Sequence, residues 1–350
     1  MSKSIVLDGI NVGEGKPCYV IAEIGNNHQG SVELCKEMIL AAKQSGASAV
    51  KLQKRENSKI FTKALFDSPY ENPNSFGPTY GSHRNAIEFG EAEYKELISF
   101  SKDLGITFFS TAFDLYSLEL LEQLEMPFYK VASSDITHLP LLKTMASFGK
   151  PMILSTGGAT MDDIHRALDA VLPLNNQVVL MQCTAAYPPV HKELNLNVIR
   201  TFSETFKDVV VGLSSHDNGI AMDLVGYILG AQVIEKHFTL NRANKGTDNA
   251  FSLEPQGLQK LVRDLERARV SLGDGHKVVY DSEKAPITKM RKKIVFSRDL
   301  KAGHVLTKDD FEFKSPADAL PPYRIDECIG QTLGEDVMID QDVDLNQFRK

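Results

Sequence analysis

The chain has 350 residues, 42% hydrophobic and 24% charged, which is typical of a globular protein with one large domain and a smaller one. Its net charge of −7 argues against general nucleic-acid binding and means that an anionic substrate needs a local Lys/Arg cluster. The four cysteines are scattered without a CxxC pair, and there is no signal-like N-terminus or apolar run of about 18 residues. We therefore expect a cytoplasmic protein without membrane association.

Short apolar runs recur through the first three-quarters of the chain and predict strands buried on both faces. The eight runs are 18–24, 48–54, 106–112, 127–133, 151–157, 178–184, 209–215 and 232–238. Segments with helical periodicity lie between them, and the first begins at a predicted N-cap, Ser31. This alternation predicts an α/β protein with a (β/α)8 TIM barrel, and a doubly wound sheet is the alternative.

Two parts of the chain depart from this alternation. The interval 55–90 is too long and too rich in turn residues for a plain loop, and it predicts a functional excursion at the upper face of the barrel. After the barrel domain, residues 1–278, and a polar linker, residues 279–290, short alternating runs are punctuated by Gly and Pro. They predict a small, mainly β domain over residues 291–350.

Polar side chains gather where the predicted strands end. Each strand is apolar through its middle and polar at its C-terminal end, which is where such barrels place their active sites. The exits carry Glu23, Lys51, Gln53, Ser110, Thr111, Lys130, Ser133, Ser155, Thr156, Gln182, Thr184, Ser214, His216, Glu235 and His237. This one-sided bias indicates a functional site.

Strand parity separates the ionisable residues of "VIEKHFTL" (233–240). Residues i and i+2 point to the same side of a strand, so Glu235 and His237 can face the barrel mouth together. Lys51 and Gln53 are related in the same way. Lys236 then points toward the helices, which favours a structural ion pair.

Lys51 and Lys130 lie beside serine and threonine hydroxyls, a combination that predicts a cradle for a phosphate or a carboxylate. The alternative is that Glu23 and Glu235 neutralise the two lysines inside the barrel. We favour anion binding because ion pairing alone does not need so many hydroxyls.

His216 and His237 end consecutive strands, so their imidazoles can reach one ion. With Glu23 or Asp248 nearby, they predict a partly open site for Mn²⁺, Mg²⁺, Fe²⁺ or Co²⁺. A catalytic zinc fits less well without a third histidine or a cysteine. Two histidines alone are equally consistent with hydrogen-bonded structure.

Two loops are predicted to lie over the mouth. The loop after the first strand, "IGNNHQGS", would place Asn26, Asn27 and His28 there. The segment "KGTDNAFSLEP" follows the last strand and would supply Asp248 at the same face.

Together these motifs closely resemble the sialic acid synthase family over essentially the full chain. The matching segments are "IAEIGNNHQGS", "AVKLQK", "FYKVASSD", "PMILSTG", "QCTAAYP", "VGLSSHDNGIAMDLVGYILGA", "VIEKHFTL" and "KGTDNAFSLEP". No single motif is specific, but the combination in this order is. The C-terminal region resembles the family's antifreeze-like (SAF) domain, most clearly at "DLKAGHVLTKDDF".

The resemblance implies the condensation of phosphoenolpyruvate with an N-acetylated mannose-type sugar, which gives a nine-carbon 2-keto acid and phosphate. It assigns phosphoenolpyruvate binding to Lys51, Thr111, Lys130, Ser133, Ser155 and Ser214. It assigns acceptor binding to Gln53, Tyr187 and Asp248, and catalytic proton handling to Glu23 and Glu235. His216 and His237 would hold a divalent metal, with Mn²⁺ expected ahead of Mg²⁺ and Co²⁺. The resemblance also implies a domain-swapped homodimer.

The acceptor first expected is N-acetylmannosamine; its 6-phosphate and legionaminic-type sugars are alternatives. In bacterial members that use the free sugar, an arginine in a "KRP" context reaches the partner's site, whereas here "FKSP" carries Ser315, with Arg324 nearby. The excursion also looks more similar to animal members that use the phosphorylated sugar. Its Tyr80, His83 and Arg84 would either bind the acceptor or merely pack the loop.

Two further readings remain open. A related condensing barrel would use phosphoenolpyruvate with arabinose 5-phosphate or erythrose 4-phosphate, although the appended domain speaks against it. A protein of another class, binding ice or carbohydrate with an inactive barrel, would not need the ring of lysines and histidines.

Overall fold

The computed structural model describes residues 3–349, which form two compact units, one ending at Gly273 and the other beginning at Asp274. The first unit opens with an antiparallel hairpin of β1 (Ser4–Leu7) and β2 (Ile10–Gly13). The next strands form one closed parallel barrel, in which β10 pairs with both β9 and β3. They are β3 (Tyr19–Gly25), β4 (Ala49–Lys54), β5 (Thr107–Ala112), β6 (Tyr129–Val131), β7 (Met152–Ser155), β8 (Val178–Cys183), β9 (Val210–Ser215) and β10 (Val233–His237). The predicted TIM barrel is confirmed.

Helices follow the barrel strands and cover them from outside. They are α1 (Val32–Gln44), α5 (Glu91–Leu104), α6 (Leu115–Gln123), α7 (Leu139–Ser147), α8 (Met161–Val171), α9 (Val198–Thr205), α10 (Ala221–Ile228) and α11 (Pro255–Ser271). The excursion after β4 contains the short helices α2 (Asn57–Ile60), α3 (Lys63–Phe66) and α4 (Tyr80–Ala86). Ser31 is the predicted N-cap of α1, and its Oγ accepts from the Leu34 backbone N–H at 3.2 Å. Among residues 3–349, no helix is long and apolar enough to cross a bilayer.

The register of the barrel brings the polar strand ends side by side. His237 on β10 pairs with Glu23 on β3, and Glu23 pairs with Lys51 on β4. Thr111 on β5 likewise pairs with Lys130 on β6. Because the strands are parallel, these side chains meet at one end of the barrel.

The second unit is small and has its own core. It begins with α12 (Asp281–Met290), which occupies most of the predicted linker, and continues with β11 (Lys293–Phe296) paired antiparallel to β12 (Phe311–Lys314). Its buried residues include Ile294, Phe296, Leu306, Phe311, Cys328 and Leu333. The small antiparallel sheet agrees with the mainly β domain predicted here.

Candidate active site

One cavity of about 450 Å³ opens at the C-terminal ends of the barrel strands. This volume lies within the range of about 300–1,000 Å³ that is usual for small-molecule sites. The structure brings to its wall every residue to which the family resemblance assigned a role: Glu23, Lys51, Gln53, Thr111, Lys130, Ser133, Ser155, Tyr187, Ser214, His216, Glu235, His237 and Asp248. The wall also contains residues to which sequence analysis gave no role, among them Arg55, Phe113, Ser134 and Thr247.

Lys51 lies between two buried carboxylates. Its Nζ is 2.8 Å from Glu23 Oε2 and 3.8 Å from Glu235 Oε1. The same Nζ donates to Thr111 Oγ1 at 2.8 Å. The ammonium group is therefore fixed by ion pairing before any ligand binds.

Lys130 completes this charged cluster. Its Nζ donates to Ser155 Oγ at 2.6 Å and lies 3.6 Å from Glu235 Oε1. Burial lowers the pKa of Lys130, and Glu235 opposes that effect. Burial alone would raise the pKa of Glu235, but Lys130 and Lys51 outweigh it and lower that pKa. The two lysines and the carboxylates Glu23 and Glu235 sum to zero charge, so a multiply charged anion bound here leaves the cluster negative.

Two of the hydroxyl groups around the lysines are held in place by their neighbours. Ser133 Oγ accepts from the Gly157 backbone N–H at 2.9 Å. A Cβ at position 157 would lie 2.8 Å from that oxygen, so only glycine allows this approach. Ser214 Oγ donates to Glu235 Oε1 at 3.3 Å.

The imidazoles of His216 and His237 lie beside each other, with ring centroids 5.4 Å apart. His216 Nδ1 is 3.1 Å from the Thr184 carbonyl oxygen, which only accepts, so Nδ1 carries the proton and Nε2 keeps a lone pair. Burial is the main effect that lowers the pKa of His216 to about 3, and the neighbouring His237 is the second, so this ring is neutral at pH 7. His237 Nδ1 is buried without a hydrogen-bond partner and lies 3.8 Å from Asp248 Oδ2. A neutral imidazole with an unused lone pair, as in His216, is suited to a divalent cation.

A complete set of protein ligands does not assemble around the two histidines. Within residues 3–349, no three His, Cys, Asp or Glu side chains converge closely enough to hold a metal. Glu23, considered as a third ligand, is occupied by Lys51 and by Gln53, whose Nε2 donates to its Oε1 at 2.7 Å. An ion on the histidines would complete its coordination with oxygen atoms of water or substrate.

Tyr187 lies over the histidines. Its ring centroid is 4.2 Å from that of His216 and 6.3 Å from that of His237. The ring is 56% exposed, so a face is free to contact a ligand in the cavity. Asp248, also predicted to bind the acceptor, lies close to His237 and lines the same cavity.

Arg55 continues the polar face of β4 beyond the strand. Lys51, Gln53 and Arg55 are two residues apart and all reach the cavity. Arg55 Nη2 donates to Gln53 Oε1 at 2.7 Å, and the guanidinium carbon lies 3.6 Å from the Phe113 ring centroid. Sequence analysis missed Arg55 because the parity argument stopped at Gln53; extending it by two residues would have found it.

The excursion contributes Arg84 from α4. Arg84 lines the cavity, and its Nε donates to Tyr80 Oη at 3.3 Å. His83 is buried, stacks on Tyr70 and accepts from the Phe76 backbone N–H at 3.1 Å. Arg84 therefore reaches the site, whereas Tyr80 and His83 pack the excursion.

The predicted placement of the loop after β3 is wrong for two residues. Asn26 lines the cavity, but Asn27 and His28 do not. Asn27 Nδ2 donates to the Phe238 carbonyl oxygen at 2.9 Å, and His28 stacks on Phe89 with ring centroids 4.0 Å apart. These two side chains hold the loop to the barrel.

Comparison with known proteins decides the family. Residues 38–277 match the NeuB family, and residues 291–340 match the SAF domain. The first match covers well over half of the chain. The chain belongs to the NeuB family. It is therefore an enzyme, a phosphoenolpyruvate-condensing transferase of the sialic acid synthase type.

Relatives of this NeuB protein include synthases for different sugars. The N-acetylneuraminate-9-phosphate synthase of Mus musculus is 39% identical over 85% of this chain and 83% of that protein. The N,N'-diacetyllegionaminic acid synthase of Legionella pneumophila is 34% identical over 92% of each. The crystal structure of N-acetylneuraminic acid (sialic acid) synthetase from Leptospira borgpetersenii, in complex with citrate, has a TM-score of 0.72 and 32% identity, covering 82% of this chain and 96% of that one.

In the second unit, Ser315 and Arg324 are the two residues that sequence analysis considered in connection with the partner's site. Ser315 Oγ donates to the Met290 carbonyl oxygen at 3.2 Å and accepts from Lys292 Nζ at 3.0 Å. Arg324, the other candidate, forms two hydrogen bonds of 2.7 Å with the Glu327 carboxylate. The Arg324 guanidinium is therefore already paired with a carboxylate three residues along the chain.

Lys236 points away from the cavity, as strand parity predicts. Its Nζ lies 2.9 Å from Asp217 Oδ1 and 3.2 Å from Asp223 Oδ2, and it donates to Ser215 Oγ at 2.9 Å. Ser215 also donates to Asp223. All four side chains are buried, so the predicted structural ion pair is confirmed and extends to a network.

Proposed function

We propose that this enzyme condenses phosphoenolpyruvate with N-acetylmannosamine 6-phosphate, giving N-acetylneuraminate 9-phosphate and phosphate. The observation that carries the proposal is the lysine–hydroxyl cluster placed beside the histidine pair in one cavity. An anion and a carbonyl group can meet there. The name of the mouse relative supports the phosphorylated acceptor over the free sugar that was expected first. A legionaminic-type acceptor, suggested by the Legionella relative, is the competing outcome.

In this proposal the lysines bind phosphoenolpyruvate. Their ammonium groups are already ordered by Glu23 and Glu235, so little side-chain freedom is lost when the anion binds. Hydroxyl groups add neutral donors around the carboxylate and the phosphate. These donors come from Thr111, Ser133, Ser155 and Ser214.

His216 and His237 hold a divalent cation in this proposal, and Mn²⁺ is the expected ion. The neutral His216 ring and the unpartnered His237 Nδ1 support this role. So does the zero net charge of the lysine–carboxylate cluster, which alone does not balance a multiply charged anion. A bound ion would supply Lewis-acid polarisation of the acceptor aldehyde.

The two buried carboxylates handle protons. The enol carbon of phosphoenolpyruvate bonds to the aldehyde carbon, whose oxygen takes a proton. Water adds at C2 and gives up one proton, and the new C2 hydroxyl gives up its proton as the C–O bond to phosphate breaks and the keto group forms. Glu23 is oriented by Lys51 and Gln53, so it can move a proton at the aldehyde oxygen or the water. Glu235 lies between the two lysines and supports the same steps.

The sugar is oriented by Gln53, Tyr187 and Asp248. The Tyr187 ring offers an exposed face beside His216, on which the carbon skeleton of the sugar can pack. Asp248 Oδ2 accepts from a sugar hydroxyl near His237. Gln53 lies between the lysine cluster and Arg55.

An acceptor panel tests the function. We expect phosphate release from phosphoenolpyruvate with N-acetylmannosamine 6-phosphate, at a kcat/KM at least about tenfold above that with the free sugar. EDTA should abolish the activity, and Mn²⁺ should restore it. Arabinose 5-phosphate and erythrose 4-phosphate serve as control acceptors. No turnover of any N-acetylated hexose, or activity only with a control acceptor, would reject the proposal.

We also propose that the enzyme acts as a homodimer in which the second unit of each chain covers the partner's barrel. The small core of the second unit supports this idea, because such a unit gains stability by packing on a larger one. Light scattering at micromolar concentration should give twice the chain mass. A fully active monomer would contradict this arrangement.

A further inference from the structure

The wall of the cavity contains two arginines that lack acidic partners. Among residues 3–349, neither Arg55 nor Arg84 forms an ion pair with a carboxylate, and Arg55 Nη1 is buried without any hydrogen-bond partner. Glu88 and Asp248 both act on the charge of Arg55 without pairing with it, and Glu88 Oε1 is occupied by Lys54 Nζ at 2.8 Å and by the Arg55 backbone N–H at 3.0 Å. This differs from the lysine cluster, in which every ammonium group has a carboxylate.

Placing two guanidinium groups in a cavity without carboxylates to balance their charge is unfavourable in free energy. Arg55 is only 6% exposed, and burial together with the charge of Arg84 lowers its pKa to about 10. Lys245 adds positive charge nearby, since it and Arg84 both act on His83. Removing a cation from water without a counter-charge costs several kcal/mol, so the arrangement is best explained by an anion that binds there.

The position of the arginines identifies which anion this is. Lys51 and Arg55 are four residues apart along β4 and its exit, a separation of up to about 13 Å at 3.3 Å per residue. Gln53, expected to bind the acceptor, lies between them. A sugar whose aldehyde lies near the histidines would extend past Gln53, with its far end toward Arg55.

We propose that Arg55 and Arg84 form the subsite for a phosphomonoester on the acceptor and so select the phosphorylated sugar. This inference rests on the proposed function and adds the residues that decide the acceptor. Arginine is suited to the task because its planar fork donates two hydrogen bonds to one phosphate. Phe113, under the Arg55 guanidinium, and Tyr80, bonded to Arg84, hold the two forks in place.

Arg84→Gln is the test variant, because the Arg84 side chain bonds to Tyr80, which packs the excursion and does not line the cavity. We expect the ratio of kcat/KM for N-acetylmannosamine 6-phosphate to that for N-acetylmannosamine to fall about 10- to 100-fold, mostly through KM of the phosphorylated sugar. Arg55→Lys, which keeps the charge but loses the fork, should lower the ratio less. Arg200→Gln makes the same charge change at an exposed position of α9 and should leave the ratio unchanged.

Other outcomes would overturn the inference. If Arg84→Gln raises KM for phosphoenolpyruvate instead, the pair serves that substrate; an unchanged ratio means that it serves neither. Calorimetric titration of wild type and Arg84→Gln with N-acetylmannosamine 6-phosphate, N-acetylmannosamine and inorganic phosphate separates the two proposals. Selective, Arg84-dependent binding of the phosphorylated sugar without turnover would reject the proposed function but retain the subsite. Equal binding of the sugar phosphate by both proteins would reject the subsite.

Discussion

Lys130→Met should lower kcat/KM for phosphoenolpyruvate by about 10²–10³-fold, the loss typical of removing one fixed electrostatic group from an active site. Lys130 is buried and donates to Ser155, so no other cation can move into its place without rearrangement. The same change should lower the free energy of unfolding by about 3 kcal/mol, because it removes one of the two lysines that face Glu235. Steady-state kinetics and urea unfolding measure the two effects separately.

The double variant Lys130→Met/Glu235→Gln is the control for this prediction. Neutralising Glu235 removes the uncompensated charge, so most of the lost stability should return. Activity should stay low, because the double variant lacks both the cation proposed to bind the anion and the carboxylate proposed to handle protons. If the double variant regained activity, Lys130 would act only as a counter-ion to Glu235, and the proposed proton handling by Glu235 would be contradicted as well. A single variant within tenfold of wild type would contradict a role in phosphoenolpyruvate binding.

The barrel and most of the wall of its cavity could be predicted because two simple periodicities determine them. Parallel strands buried on both faces produce uninterrupted apolar runs, and their polar ends must meet at one edge. Strand parity then separated Glu235 and His237, which face the cavity, from Lys236, which does not. These arguments hold wherever the backbone is extended and regular.

Prediction failed where the backbone leaves the strand. Gly25 has a φ of +54°, and the register shifts between Glu23 and Gly25, so parity says nothing about Asn27 and His28 beyond that point. Arg55 was missed for the opposite reason. Arg55 lies directly after β4 and continues the two-residue spacing of Lys51 and Gln53 into the cavity, but no local pattern marks that this spacing goes on beyond the strand.

The two alternatives for the lysines were not exclusive. Glu23 and Glu235 neutralise Lys51 and Lys130, yet the same lysines line the cavity together with the hydroxyl groups. Counter-charges lower the free-energy cost of burying cations that would otherwise lose their protons. Charge pairing of this kind depends on distances between strands, which a single sequence does not contain.

Lys236→Met should produce the largest loss of stability, about 3–5 kcal/mol, because it leaves Asp217 and Asp223 buried without their cation. Burial already raises the pKa of Asp223, and Lys236 opposes that shift. Neutralising both acids in Lys236→Met/Asp217→Asn/Asp223→Asn should return most of the stability. Urea unfolding of the three proteins (wild type, single and triple variants) measures this.

The same change should weaken Mn²⁺ binding about tenfold, although Lys236 does not face the cavity. Lys236 precedes His237 on β10, and Ser215 and Asp217 flank His216, so the network fixes the spacing of the two strand ends that carry the histidines. Supporting contacts of this kind typically change metal affinity by about 10–100-fold. Electron paramagnetic resonance measures free Mn²⁺ directly, with His237→Ala as the reference for loss of the site.

Lys54→Met is the matched control, because it breaks another buried ion pair, with Glu88, and should cost stability without changing Mn²⁺ affinity. Equal Mn²⁺ affinities in Lys236→Met and Lys54→Met would show that the Lys236 network supports the fold but not the histidine pair.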